Sequence, residues 1–224
     1  MSLRGKGALA IWHDLVADAE PDFIEWHNRE HIPERLGVPG FLRGRRCRAV
    51  AGGPRWFMLY EVESLAVLTS DAYLARLNDP TPWTRRQMPA FRNTARSICT
   101  VEATAGVALG GHVLTLRLEA QPGREAALRD WLTAECLPAA NAAPGVVGAH
   151  LCVADRAAST VETAEKRGRA EPDRVPGTVV LIEGSSHEAL AEVGRRLTAE
   201  PWADRGATAA ESAIYQLDVL LARA

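Results

Sequence analysis

Apolar and polar positions along the 224-residue chain run through one programme and then repeat it. Residues 8–15 alternate loosely, the period of a half-buried strand, and the polar run 17–21 opens a helix with Pro21 in its first turn. That helix carries Phe23, Trp26 and His27. Pro33 lacks a backbone donor and crowds the preceding turn, which predicts a kink or a stop near His31 and Ile32. Pro39-Gly40 turns the chain into a strand over 41–50, and Gly52-Gly53-Pro54 turns it back into another over 56–62. Leu65, Leu68, Ala72, Tyr73 and Leu77 mark one face of a helix over 64–77, which Asn78-Asp79-Pro80 ends. Residues 82–95 read as irregular or short helix and 98–103 as a last strand. The order is strand, helix, strand, strand, helix, strand, that of a ferredoxin-like unit.

A Gly/Ala-rich connector at 106–111 precedes the second pass: strand 112–118, helix 124–136, strands 147–153 and 178–182, helix 188–198, strand 214–221. The two passes align by residue, for Trp26 through Gly40 returns as Trp131 through Gly145 at a constant offset of 105 (131 − 26). Leu9 pairs with Leu114, Glu20 with Glu125, Cys47 with Cys152, and Pro82-Trp83 with Pro201-Trp202. If Glu61 pairs with Glu183, the offset has grown to 122 (183 − 61), so the second half carries 17 extra residues (122 − 105). They fall in 155–176, a charged stretch rich in Ala and Arg with little apolar content, which predicts a mobile hairpin more readily than a lid. The expected organisation is a first unit over 1–105 and a second over 106–224.

Composition narrows the partners. A formal net charge of −2 and a pI near 6.3 provide no broad positive field, so neither nucleic acid nor an anionic membrane is expected as the main partner. Four separated cysteines without a C-x-x-C pair fit buried thiols in a reducing, cytoplasmic compartment. The first residues lack the apolar core of a signal peptide, and no stretch approaches membrane-spanning length.

The element order, the duplication, and the stretch Trp26-His27-Asn28-Arg29-Glu30-His31-Ile32-Pro33-Glu34 with Pro39-Gly40-Phe41 resemble a single-chain, tandem member of the dimeric α+β barrel superfamily. The resemblance implies an α+β fold in which two ferredoxin-like βαββαβ units join their sheets into a barrel with helices outside. One chain would then form a pseudo-dimer, with further homodimerisation through other surfaces left open. The His31-Ile32-Pro33 helix end before Pro39-Gly40-Phe41 is similar to EthD-type and related proteins of stress response, catabolism and secondary metabolism. The superfamily includes cofactor-free monooxygenases, isomerases and cyclases, haem enzymes, and members without known activity. It therefore implies a small-molecule ligand without specifying a reaction.

Comparing the halves singles out a site. His13 aligns with Leu118, His27 with Leu132, His31 with Cys136 and Tyr60 with Ile182, so polar residues of the first half stand where the second is apolar. An unpartnered buried polar group costs roughly 1–3 kcal/mol, which predicts a shared hydrated or ligand-filled pocket. His27 and His31 lie one helical turn apart, and His13 starts near the same helix, so three imidazoles are expected to converge. As catalytic candidates, His27 or His31 would be the general base and Tyr60 would steady an oxyanion. His13, Arg46 and Arg48 are the substrate-binding candidates, the arginines because they align with Leu151 and Val153.

No cofactor is expected, since the chain lacks G-x-G-x-x-G, P-loop and G-x-S-x-G patterns. The string from His27 to His31 matches H-x-x-E-H, but Pro33 follows and Glu30 recurs as Glu135 in the half without histidines, so a zinc peptidase is set aside. Three alternatives stay open: a metal site on His13, His27 and His31, a non-catalytic stress-response or ligand-binding barrel, and, as a minor option from the resemblance, a haem enzyme. On this reading Leu132→Ala costs roughly 2–5 kcal/mol as a core truncation while His27→Ala leaves stability nearly unchanged.

Overall fold

Alternation along the strands sorts side chains into an inner and an outer layer. On β1 (Gly7–Leu15), Ala8, Ala10 and Trp12 face inward, while Leu9, Ile11 and His13 face out beneath the helices. The strands β2 (Phe41–Ala51), β3 (Trp56–Val62) and β4 (Phe91–Gly106) complete the first half, and β5 (His112–Ala120), β6 (Val146–Ala154), β7 (Thr178–Gly184) and β8 (Ala207–Ala222) make the second. In this computed structural model, which describes residues 3–223, they close into one antiparallel barrel in the order β1-β3-β2-β8-β5-β7-β6-β4. Each half contributes a ferredoxin-like sheet.

The halves are joined through β4 and β8, which are longer than the sequence pattern predicts. The first part of β4 pairs with β1 and its end with β6, and β8 pairs first with β5 and then with β2. Residues outside the expected spans 98–103 and 214–221 are thus held by partners distant in sequence, which local periodicity cannot register. Three apolar cores follow from the layering: one inside the barrel, and one between each half-sheet and its helices.

Over the first half lie α1 (Glu20–Trp26), α2 (Ile32–Leu36), α3 (Asp71–Asn78) and α4 (Pro82–Gln87). Pro33 does not stop the first helix. Residues His27–His31 form a π-helical turn between α1 and α2, with the Ile32 N–H bonded to the His27 carbonyl. The wider turn relieves the conflict with the proline ring, and Leu132–Cys136 repeats it before Pro138, between α5 (Glu125–Trp131) and α6 (Leu137–Asn141). The helix expected over 64–77 also divides: a 3-10 turn, Leu65–Thr69, precedes α3, and the Ser70 hydroxyl caps α3 by accepting from the Tyr73 N–H at 3.3 Å.

The 155–176 insertion corrects its expectation most clearly. It contains α7 (Arg156–Thr160) and α8 (Ala164–Arg167), and it runs as a strap from the second half across the first; α9 (His187–Ala199) then returns to the second sheet. Because β6 pairs only with the later part of β4, the early part has a free edge, and the strap occupies it. The Ile98 carbonyl accepts from Asp155 N–H at 2.8 Å, and Ile98 N–H donates to Ser159 Oγ at 2.9 Å. Arg96 N–H donates to the Arg174 carbonyl at 2.8 Å, and Arg174 N–H to the Thr94 carbonyl at 2.9 Å. Backbone pairing compensates for the scarcity of apolar residues, and Ala158 joins the first-half core. The Arg96 and Ile98 amides should therefore exchange hydrogen as slowly as neighbouring amides of β4. Exchange at the rate of an exposed loop, read by native-state exchange mass spectrometry, would show the strap undocked.

Candidate functional site

The cavity lies between the helix layer and the sheet of the first half. The π turn presents His27 and His31, β3 presents Met58 and Tyr60, β1 presents Leu9 and Ile11, and the strap supplies Glu165 and Arg169. Together with Trp26 and Phe91 they bound a small cavity that is partly open to solvent. Gly44, opposite Tyr60 on β2, makes room for the phenol ring, because a Cβ there would come within 3.0 Å of Tyr60 Cε1. The second half changes both members of this cross-strand pair: Ala149 lies opposite Ile182.

Tyr60 is buried, and its hydroxyl lies 3.2 Å from His27 Nε2. The His27 and His31 rings stack with centroids 5.5 Å apart, and Trp26 covers His31 at 4.2 Å. Nδ1 of both histidines is sealed from solvent and has no hydrogen-bond partner among the described residues. His27 is fully enclosed, whereas His31 keeps 8% exposure and is the more accessible ring. Burial pulls both imidazoles well below their ordinary pKa; the nearby guanidinium of Arg46 adds to this at His27 and that of Arg35 at His31. Both are therefore neutral at neutral pH. Burial also raises the Tyr60 phenol, which stays protonated and able to donate.

Three sequence candidates do not line this cavity. His13 packs on Phe91 at 4.3 Å and its Nδ1 meets the Asp14 carbonyl at 3.0 Å; Phe23 stands between it and His27, 5.2 Å from one ring and 5.4 Å from the other. The three imidazoles therefore do not converge, and among the described residues no three His, Cys, Asp or Glu side chains gather where a metal could be held. Arg46 is committed to Asp218 at 2.7 Å and lies over the Trp56 ring, while Arg48, also over that indole, is partly exposed. Glu30 accepts from the hydroxyls of Thr81 and Thr84 on the first turn of α4, a helix-to-helix tie rather than a base beside a metal.

Leu118, Leu132, Cys136 and Ile182 are all buried in the second-half core. His27 is as buried as Leu132 and is packed by Phe23 and Trp26, so His27→Ala leaves a hole and is expected to destabilise like a core truncation, against the sequence-based expectation. Arg35, Arg96, Glu165 and Arg169 also line the cavity and were missed. The half-to-half comparison holds the signal for two of them. Arg35 aligns with Ala140 at the offset of 105 (140 − 35), and Arg96, opposite Ile11, corresponds to Ser212, opposite Leu116.

No protein-family model matches the sequence, and no curated protein matches it. Solved structures match over nearly the whole chain. An anthrone oxidase-like protein superposes with a TM-score of 0.69 at 12% identity, over 99% of this chain and 95% of the other. A candidate monooxygenase from Fusobacterium nucleatum gives 0.59 at 10% identity, over 99% and 96%. A heme-binding protein from Thermus thermophilus gives 0.50 at 11% identity, over 96% and 92%. At these identities the likeness is one of fold: the chain is an eight-stranded α+β barrel of two ferredoxin-like units closed within a single polypeptide. None of the described helices is long and apolar enough to cross a membrane.

The buried imidazoles make stability depend on pH. His13 is lowered to about 3 by burial, so between that value and its unfolded pKa near 6.5 the unfolded chain binds a proton that the folded chain refuses. Its contribution is present above about pH 6.5 and is lost as the pH falls. From pH 7.5 to pH 5 this one group should remove roughly 2 kcal/mol. His13→Leu, which installs the residue found at Leu118, should make the pH dependence shallower by about that amount in urea unfolding. Equal slopes for wild type and variant would mean that His13 is hydrated and titrates normally.

Proposed function

We propose that the first half binds a small, largely apolar aromatic metabolite and removes a proton from it, making the chain a cofactor-independent enzyme of monooxygenase, isomerase or cyclase type. The observation that carries this reading is the pair of neutral, stacked imidazoles, His27 and His31, beside a protonated Tyr60 in a cavity lined by apolar side chains. A neutral imidazole accepts a proton, and His31 is the ring open to the cavity. Burial makes it a weak base, so it suits a substrate whose C–H bond is already acidified by a carbonyl and an aromatic ring. The C–H bond breaks, the proton passes to His31, and the electron pair delocalises onto the carbonyl oxygen. The Tyr60 hydroxyl and the Arg35 guanidinium steady that oxyanion. His27 acts as a positioning residue for Tyr60.

An anthrone supplies such a methylene, and it is the first substrate to test given the similarity to an anthrone oxidase-like protein. The electron-rich anion would reduce molecular oxygen directly, converting the CH₂ group and O₂ to C=O and water. Haem ligation is disfavoured at His31, whose ring packs against Trp26 at 4.2 Å and His27 at 5.5 Å.

The test separates proton removal from oxidation. Exchange of the anthrone methylene into deuterium oxide under nitrogen reads the first, and oxygen uptake in air reads both. His31→Gln should slow exchange by about 10²-fold or more, and Tyr60→Phe by about tenfold. Exchange without oxygen uptake selects an isomerase or cyclase type. Bound anthrone that exchanges no faster than in buffer selects the non-catalytic binding barrel and rejects the enzyme.

A further inference from the structure

The cavity beside His31 shares a charged wall with a second chamber. The outer chamber is apolar, formed by Leu68, Leu74, Ile98, Ala158 and Val161, and it lies directly beneath the strap. Leu77, Arg96, Glu165 and Arg169 line both spaces, so the waist between them is made largely of charged groups.

Four cations line the two chambers: Arg35, Arg96, Lys166 and Arg169. Three of them have carboxylate partners. Arg35 pairs with Glu165 and, at 3.3 Å, with Glu34; Arg169 pairs with Asp173; Lys166 lies 3.6 Å from Glu162. Arg96 has none among the described residues. Its guanidinium donates to the Tyr73 hydroxyl at 3.3 Å, and the residue is only 5% exposed. A buried guanidinium without an anion is costly, and here it lines both chambers.

Resting on the reading of this cavity as a ligand site, we infer that the ligand is an acid: an apolar aromatic body bearing one carboxylate, which docks on Arg96 at the waist. A carboxylate matches the planar guanidinium by two parallel hydrogen bonds and supplies the missing charge. The apolar remainder fills the outer chamber. The strap is then part of the recognition, because Glu165 and Arg169 flank the carboxylate and Glu165 repels it unless Arg35 keeps that side chain paired.

The inference is tested by binding alone, with 1-naphthoate and its uncharged isostere 1-naphthamide titrated into the full chain by calorimetry. Naphthoate should bind about tenfold or more tightly than naphthamide. Arg96→Met should abolish that preference, Arg96→Lys should retain part of it, and His31→Gln should leave it unchanged. The comparison of two probes on the wild-type chain needs no variant to fold. Equal affinity for the two probes, an unchanged preference in a folded Arg96→Met, or no binding of either probe would each overturn the inference. If naphthamide equals naphthoate and both are displaced by anthrone, the cavity remains a ligand site and only the acid requirement falls. If naphthoate is preferred but anthrone exchange is not catalysed, the acid site stands and anthrone falls as the substrate.

Discussion

Arg45 at the centre of the barrel is the group on which the joining of the halves depends. Its guanidinium meets Glu183 of the second half at 2.7 Å and Glu61 of its own half at 3.2 Å, and all three residues are buried. Arg43 holds Glu61 through two further hydrogen bonds, at 2.8 and 2.7 Å, and the Gly110 N–H supports Glu183 at 3.3 Å. A buried ion pair adds little to stability over an apolar replacement, but losing one member typically costs about 3–5 kcal/mol. The barrel must therefore close in the register that brings Arg45 to both carboxylates. The duplication would place a second cation at the same depth, but position 150, 105 residues on, holds histidine. Burial and the two arginines lower His150 to about 3, so it stays uncharged and the cluster of two arginines and two glutamates remains balanced.

With the halves joined inside the barrel, the helix layers outside it are free to differ. The second sheet packs Leu118, Leu132, Cys136 and Ile182 against its helices as an ordinary core. The first has three imidazoles and a phenol in the corresponding places, two of the imidazoles and the phenol lining its cavity, and Gly44 clears the space that the phenol needs. The covering strap comes from the half without the cavity. The site is consequently composite, with a wall from the first half and a lid from the second, tied along the edge of β4 and across the Arg35–Glu165 pair. A symmetric pair of chains would need the insertion twice; one covalent chain needs it once.

Much of this was legible in the residues. The strand periods, the constant offset from Trp26 to Gly145 and the Glu61–Glu183 correspondence lead to two ferredoxin-like units, because burying one face of a strand imposes a period of two wherever it occurs. Setting Tyr60 against Ile182, and His27 and His31 against Leu132 and Cys136, located the polar side of a cavity for the same reason: equivalent positions of a repeat point the same way. The comparison could not tell a residue facing the cavity from one facing another side chain in the same layer. His13 and Arg46 lie on the correct face of their strands, yet Phe23 and Phe91 enclose the first and Asp218 claims the second.

The sequence by itself determined the units, their order and which half is polar, since these follow from local periodicity and internal repetition. The tertiary structure alone decided how the helix passes Pro33, where β4 and β8 end, and whether 155–176 is ordered. Each of these depends on hydrogen bonds that local periodicity does not encode: a displaced carbonyl, a strand of the other half, the vacant edge beside Ile98. The charge balance at the waist of the cavity was likewise invisible, because Arg35 finds Glu165 130 positions further along the chain and Arg96 finds no carboxylate at all among the described residues. A side chain's charge can be read from the sequence, but its partner is known only once the chain has folded.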